Sequence, residues 1–382
     1  MGRTVAVLCV PPAEDVVGRA RLAASKFLAC RLAELASVDT VAVATPDPMP
    51  WEALHVTVVA DPPSGWHFGA QLAQIAAEQG AERLLYFSAG SGVLLTDGEL
   101  ARLVEAAPTE PPYAVLNNFY STDFGLVAPP DGQVFSSLLR DNPLGFRLWE
   151  AGYHCYELPR SAGSQLDLDT PGELQILACH PGLPAELSAS LRHVPTGAAR
   201  ALLSSLTETG AELVLVGRAG GMTLRQLEVN AACRVRLISE ERGMEAEGRA
   251  GAGQARTLLG MYADCVGPQE LVDSVCSLGD VVVWDTRVLM AHRGLWPSAG
   301  ERFAADLLQA EGVSDPFLRE FVSACAWSEV PMLLGGHSLV SGGLLLALEL
   351  AWQGGVDKPK RYLPLVLPQQ PQRNEERKAD GF

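Results

Sequence analysis

Leu158-Pro-Arg-Ser-Ala-Gly-Ser-Gln-Leu-Asp167-Leu-Asp169-Thr-Pro-Gly-Glu173-Leu-Gln-Ile-Leu177 is the stretch on which the reading of this chain turns. It continues a strand-like run, Tyr153 to Leu158, and finishes as a helix. The helix start is fully written. Thr170 stands at the N-cap, Pro171 at the first helical position, and Glu173 three residues after the cap, which predicts a capping box. Asp167 and Asp169 are two residues apart, so in extended chain they face the same side. Two carboxylates at a strand-to-helix junction suit a divalent cation shared with a phosphate ligand. The alternative is that Asp169 serves only the cap.

Working outward, strands and helices alternate on the N-terminal side. Thr4–Val10, Thr40–Ala44, His55–Ala60, Arg83–Ser88 and Tyr113–Leu116 read as strands. Arg19–Ala36, Phe68–Gln79, Thr96–Ala107 and Pro143–Ala151 read as helices. This alternation predicts a mostly parallel, three-layer α/β sheet with ligands beyond the carboxyl ends of its strands. His180 to Pro195, rich in Pro, Gly and Ser, reads as a linker with one short helix. The alternation then restarts. Leu213–Val216, Arg234–Ile238, Val281–Trp284 and Met332–Leu334 read as strands, with a long helical stretch from Ala255 to Cys276. The expected organisation is therefore two α/β domains, 1–180 and 196–356, the second smaller and Rossmann-like, and an extended or disordered tail, 357–382.

The junction Asp167-Leu-Asp169-Thr-Pro-Gly-Glu-Leu resembles the D-[IV]-D-T-P-x-D-L signature that closes the catalytic domain of MobA-like nucleotidyltransferases. That family has the nucleotide-diphospho-sugar transferase fold. It includes the guanylyltransferases of molybdenum cofactor and coenzyme F420 synthesis. The resemblance covers roughly residues 1–180. It implies transfer of a nucleoside monophosphate from an NTP to a small phosphorylated or carboxylated acceptor, with Mg²⁺ on Asp167 and Asp169. It also implies an Arg and a Lys five residues apart that bind the triphosphate, a spacing kept by Arg21 and Lys26.

Two family features are changed. The Gly-Gly that precedes the Arg–Lys pair is replaced by Cys9-Val-Pro-Pro-Ala-Glu-Asp-Val-Val. The strand ending in Gly-Asp-x-Pro-Leu-Leu corresponds to Leu84–Leu95, which puts Ser91 where the metal-binding Asp belongs. Metal binding is then expected to rest on Asp167, Asp169 and the nucleotide's own oxygens, and an aspartate in place of Ser91 is expected to tighten it. Ser88-Ala-Gly-Ser91-Gly can form an amide-rich turn for phosphate or a plain strand-to-helix turn. Asn117, Asn118 and Asp123 lie in a polar loop at the binding edge, where the resemblance places the acceptor. Arg160 stands just before the Asp pair.

The second half places charge after its strands. Glu240, Glu241 and Arg242 follow one, Asp285, Arg287 and His292 another, and His337 and Ser338 the last. Recurrent polar strand ends in an apolar sheet fit a ligand crevice, although each group alone also fits an ion-paired loop. Gly336-His337-Ser338-Leu339-Val340 falls short of the G-x-S-x-G nucleophile elbow at Val340. Two other functions stay open: a degenerate ligand-binding or scaffold domain with any chemistry in the C-terminal half, and a sugar- or nucleotide-sensing scaffold.

The chain has 382 residues, 48% hydrophobic and 19% charged, with net charge −16. That charge argues against nucleic acid and anionic membranes as partners, and leaves a nucleotide or phosphorylated small molecule in a local basic pocket. The eight cysteines form no C-x-x-C pair and read as free thiols in a reducing compartment. With no leader-like opening and no apolar run long enough to span a bilayer, a cytoplasmic location is expected.

Overall fold

The computed structural model describes residues 2–61, 65–245 and 247–353. The 357–382 tail lies outside the described residues. Two separate sheets form, one of seven strands and one of four.

The first sheet contains β1 (Thr4–Cys9), β2 (Thr40–Thr45), β3 (Thr57–Ala60), β4 (Arg83–Ser88), β5 (Tyr113–Leu116), β6 (Phe124–Ala128) and β7 (His154–Glu157). Their order is β3-β2-β1-β4-β6-β5-β7. All pairings are parallel except those of β6, which runs antiparallel to β4 and to β5. The sequence reading passed over β6. Its effect on the site is direct. The start of an antiparallel strand lies beside the end of β4, and the Ser88 amide donates to the Asp123 carbonyl at 2.8 Å. The polar loop Asn117–Asp123 is therefore the β5–β6 hairpin connection, and it delivers Asp123 to the carboxyl edge.

The second sheet contains β8 (Glu212–Gly217), β9 (Arg234–Ser239), β10 (Val281–Asp285) and β11 (Met332–Gly335), all parallel, in the order β11-β10-β8-β9. After β9 the chain crosses to the other side of β8, so the strand order reverses between β8 and β10. Crevices for ligands open at such points. The helical stretch expected over Ala255–Cys276 is two helices, Leu258–Val266 and Pro268–Cys276, broken where Gly267 meets Pro268.

The strands of the first sheet pack in clusters of their own, and the two halves meet where helices of the first half pack on the second sheet. Val17, Ala20 and Ala24 of the Val16–Glu34 helix pack in one cluster with Leu168, Leu174 and Leu177, and with Leu213, Leu215 and Val283 of the second sheet. The segment read as a linker belongs to that cluster, because Leu187, Leu191 and Val194 are buried in it. The Pro171–Leu177 helix, buried along its length, lies between the Val16–Glu34 helix and β11 of the second sheet. Apolar burial at about 25 cal/mol per Å² makes such a shared core the main bond between the halves. No described helix is long and apolar enough to cross a membrane.

Candidate functional site

The Asp167–Thr170 turn is fixed from three directions. Its own helix provides the capping box: Glu173 accepts from the Asp169 amide at 2.5 Å, from the Thr170 amide, and from the Thr170 hydroxyl at 2.6 Å. From the N-terminal side, Arg21 donates to the Leu168 carbonyl at 2.6 Å and pairs with Asp169. From the second sheet, the Ser338 hydroxyl donates to the Asp167 carbonyl. The β11 loop approaches closely enough that a β-carbon on Gly342 would stand 2.0 Å from the Gln165 carbonyl oxygen.

Carboxylates gather at this turn. Burial raises the Asp167 carboxyl well above its ordinary value, and Asp169 and Asp123 raise it further. Burial raises Asp123 likewise, reinforced by Asp141 and opposed by the amide of Asn117, which donates to it at 2.9 Å. Asp141 is raised by burial and accepts from the Tyr86 hydroxyl at 2.7 Å. One oxygen of Asp167 is buried without a hydrogen-bond partner, and so is the Ser88 hydroxyl. A lone carboxylate oxygen out of water is costly, and a proton or a cation removes the cost. Among the described residues, no three His, Cys, Asp or Glu side chains form a metal cage. The donor set is thus too small for a metal held by protein alone. It suits a hard cation that takes its remaining oxygens from phosphate and water.

The other residues singled out in the sequence are distributed as follows. Arg21 joins the Asp pair. Lys26 does not: its ammonium lies 2.6 Å from Glu186, in the packed segment after the first sheet. Five helical residues turn the chain by about 140° from Arg21, which separates the two cations. Ser91 is buried and its hydroxyl donates to the Ser88 carbonyl at 2.9 Å, closing the turn rather than lining a ligand site. Asn117 is buried and bridges Asp123 and the Ser164 carbonyl. Asn118 accepts from the Tyr120 amide and shapes the hairpin. Arg160 pairs with Glu157 at 3.3 Å. Asp141 and Tyr86 were not anticipated. The apolar strand Arg83–Ser88 hid the tyrosine, and Asp141 lies in a turn with no motif around it.

In the second half, several of the polar residues are internal ties. Glu240 accepts from the Thr257 hydroxyl and the Leu258 amide, and Glu241 from Arg249 and the Arg256 amide. His292 accepts from the Thr257 amide at 3.1 Å and meets Asp264. Arg287 forms a buried pair with Asp306 at 2.6 Å. Asp285 is completely buried and grips Arg218 at 2.6 and 3.1 Å. Burial alone would raise this carboxyl, but Arg218 brings it below its ordinary value. His337 keeps access to solvent. Crowding by surrounding protein, then Arg218, holds its imidazole down at about 4.

No protein-family model matches the chain, and no curated protein matches it. Distant likeness to solved structures is found over the N-terminal half. CMP:2-keto-3-deoxy-manno-octonic acid synthetase in complex with CTP is 14% identical with a TM-score of 0.35, covering 46% of this chain and 96% of the synthetase. A nucleotidyl transferase from Methanothermobacter thermautotrophicus is 16% identical with a TM-score of 0.33, covering 43% and 90%. The bifunctional IspDF of Campylobacter jejuni is 9% identical with a TM-score of 0.33, covering 42% and 51%.

Proposed function

We propose that this is a nucleotidyltransferase-like protein that binds a nucleotide together with Mg²⁺ at the Asp167–Thr170 turn and transfers the nucleoside monophosphate to a small anionic acceptor. The observation that carries this reading is the unpartnered buried oxygen of Asp167, set beside Asp123 and Asp169. Asp167 and Asp169 would hold Mg²⁺, whose charge when bound offsets that of the phosphates. Arg21 orients Asp169 and places a guanidinium next to the phosphate-binding edge. Asn117 restrains Asp123, and Tyr86 restrains Asp141.

A second reading, ligand binding without transfer, is favoured by the engagement of Lys26 with Glu186 and by the inward hydroxyl of Ser91. Calorimetric titration separates these outcomes. NTP and Mg²⁺ are expected to bind together and weakly apart, and Asp167→Asn to weaken the joint binding. A ligand at 100 times its Kd raises stability by about 2.7 kcal/mol, readable as a melting shift. Release of pyrophosphate distinguishes transfer from binding alone. If no NTP binds with Mg²⁺ present, both readings of this turn as a nucleotide site fail.

A further inference from the structure

The polar end of β11 and the Asp167–Thr170 turn, which look separate in sequence, meet in the fold. His337 is held between Gly336, packed against the side chain of Thr170, and Ser338, bonded to the Asp167 carbonyl. Gly335, two residues before His337, pairs in register with Asp285, and Asp285 holds Arg218. One wall of this junction is the Asp167–Thr170 turn. The other wall is the point where the strand order of the second sheet reverses, between β8 and β10.

The charges on that second wall do not cancel. Arg218 is matched by Asp285 and Arg287 by Asp306. Arg242 pairs with no carboxylate among the described residues. Its guanidinium lies over Gly220, 3.5 Å from where a β-carbon would stand. Its acidic neighbours are turned away: Glu240 to Thr257, and Glu241, at a φ of 55°, to Arg249. Gly217, at a φ of 120°, lets the chain pass Asp285 so closely that a β-carbon there would stand 2.4 Å from that of the aspartate. This contact fixes Arg218 at the mouth of the crevice, with Nε and one terminal nitrogen on Asp285. An unmatched guanidinium, a second guanidinium with donors to spare and an imidazole suit a dianion.

We propose that Arg242, Arg218 and His337 form a phosphate-binding corner facing Asp169, and that it receives the phosphoryl group of a small-molecule acceptor. The role of acceptor rests on the proposed transfer; the binding of phosphate does not.

The test is a titration of the full chain with inorganic phosphate in EDTA, followed by ³¹P NMR. Wild type is expected to show one saturable site. Arg242→Ala is expected to weaken it by about tenfold, as loss of a charged hydrogen bond does. Arg242→Lys should restore part of the affinity, and His337→Ala should lower it less than Arg242→Ala. Arg242 and His337 are exposed, so these variants keep the fold, and a thermal melt checks this. Absence of saturable phosphate binding overturns the corner. So does binding that is lost in Arg21→Ala and kept in Arg242→Ala, which would move the anion to the first wall. A parallel titration with NTP and Mg²⁺ separates the two proposals. Phosphate binding without NTP binding refutes the acceptor role and leaves the corner standing. NTP binding without phosphate binding refutes the corner alone.

Discussion

Glu173→Gln tests whether the capping carboxylate is kept at an electrostatic cost. Glu173 is completely buried, and its carboxyl is raised from 4.5 to about 8, first by burial and then by Asp169. A group whose folded value lies above its unfolded one binds more protons in the folded state. Its contribution to stability is therefore full below about pH 4.5 and is lost as pH rises through about 8. At about 1.4 kcal/mol for each pH unit, the displacement sums to about 5 kcal/mol. Glutamine keeps the shape and one acceptor oxygen for the Asp169 and Thr170 amides, and it does not ionise. Urea unfolding of both proteins from pH 5 to pH 9 isolates this group, because Asp123, Asp141 and Asp167 titrate in both. The stability difference should move toward the glutamine variant as pH rises, by several kcal/mol. A difference independent of pH would refute the argument and show that Glu173 is ionised in the fold at little cost.

Lys26→Ala should lower stability by no more than about 1 kcal/mol in urea unfolding, since its partner Glu186 is largely exposed. Gly342→Ala should lower stability by about 3 kcal/mol, because the added carbon meets the backbone at Gln165, and a thermal melt reads the loss. Ser91→Asp should lower stability by about 3 kcal/mol, because the new carboxylate would be buried against the Ser88 and Asp123 carbonyls, and titration should show no tighter Mg²⁺ binding.

The junction was legible because its signals are local. The Thr170 cap, Pro171 and Glu173 produce the capping box that their spacing implies. Strands β4 and β5 fall at the residues expected, because short apolar runs between polar turns leave little choice. β6 was passed over although the apolar run Phe124-Gly-Leu-Val-Ala follows a polar loop, and its antiparallel direction is a tertiary property that no local signal carries. The packing of the His180–Pro195 segment was hidden for a related reason. Its Pro and Gly content marks turns, whereas Leu187, Leu191 and Val194 join an apolar cluster that draws on residues as distant in sequence as Val17 and Leu333. Ser91 was aligned by its leucines, and only the hydrogen bonds tell that its hydroxyl faces inward.

The placement of the Pro171–Leu177 helix bears on why the two halves occur in one chain. Its capping turn carries the carboxylates, while its body lies against the first helix and the second sheet. A change on the second sheet therefore reaches Asp167 by a short route: the β11 loop, the Ser338 hydroxyl and the Asp167 carbonyl. Arg21 supplies the counter-hold from the first helix through the Leu168 carbonyl. Opposed holds on neighbouring carbonyls leave the turn little freedom to relax alone, because each hydrogen bond fixes the peptide that the other would have to move. The carboxylates are thus positioned by both halves at once. That arrangement gives the second sheet a part in the geometry of the Asp167–Thr170 turn.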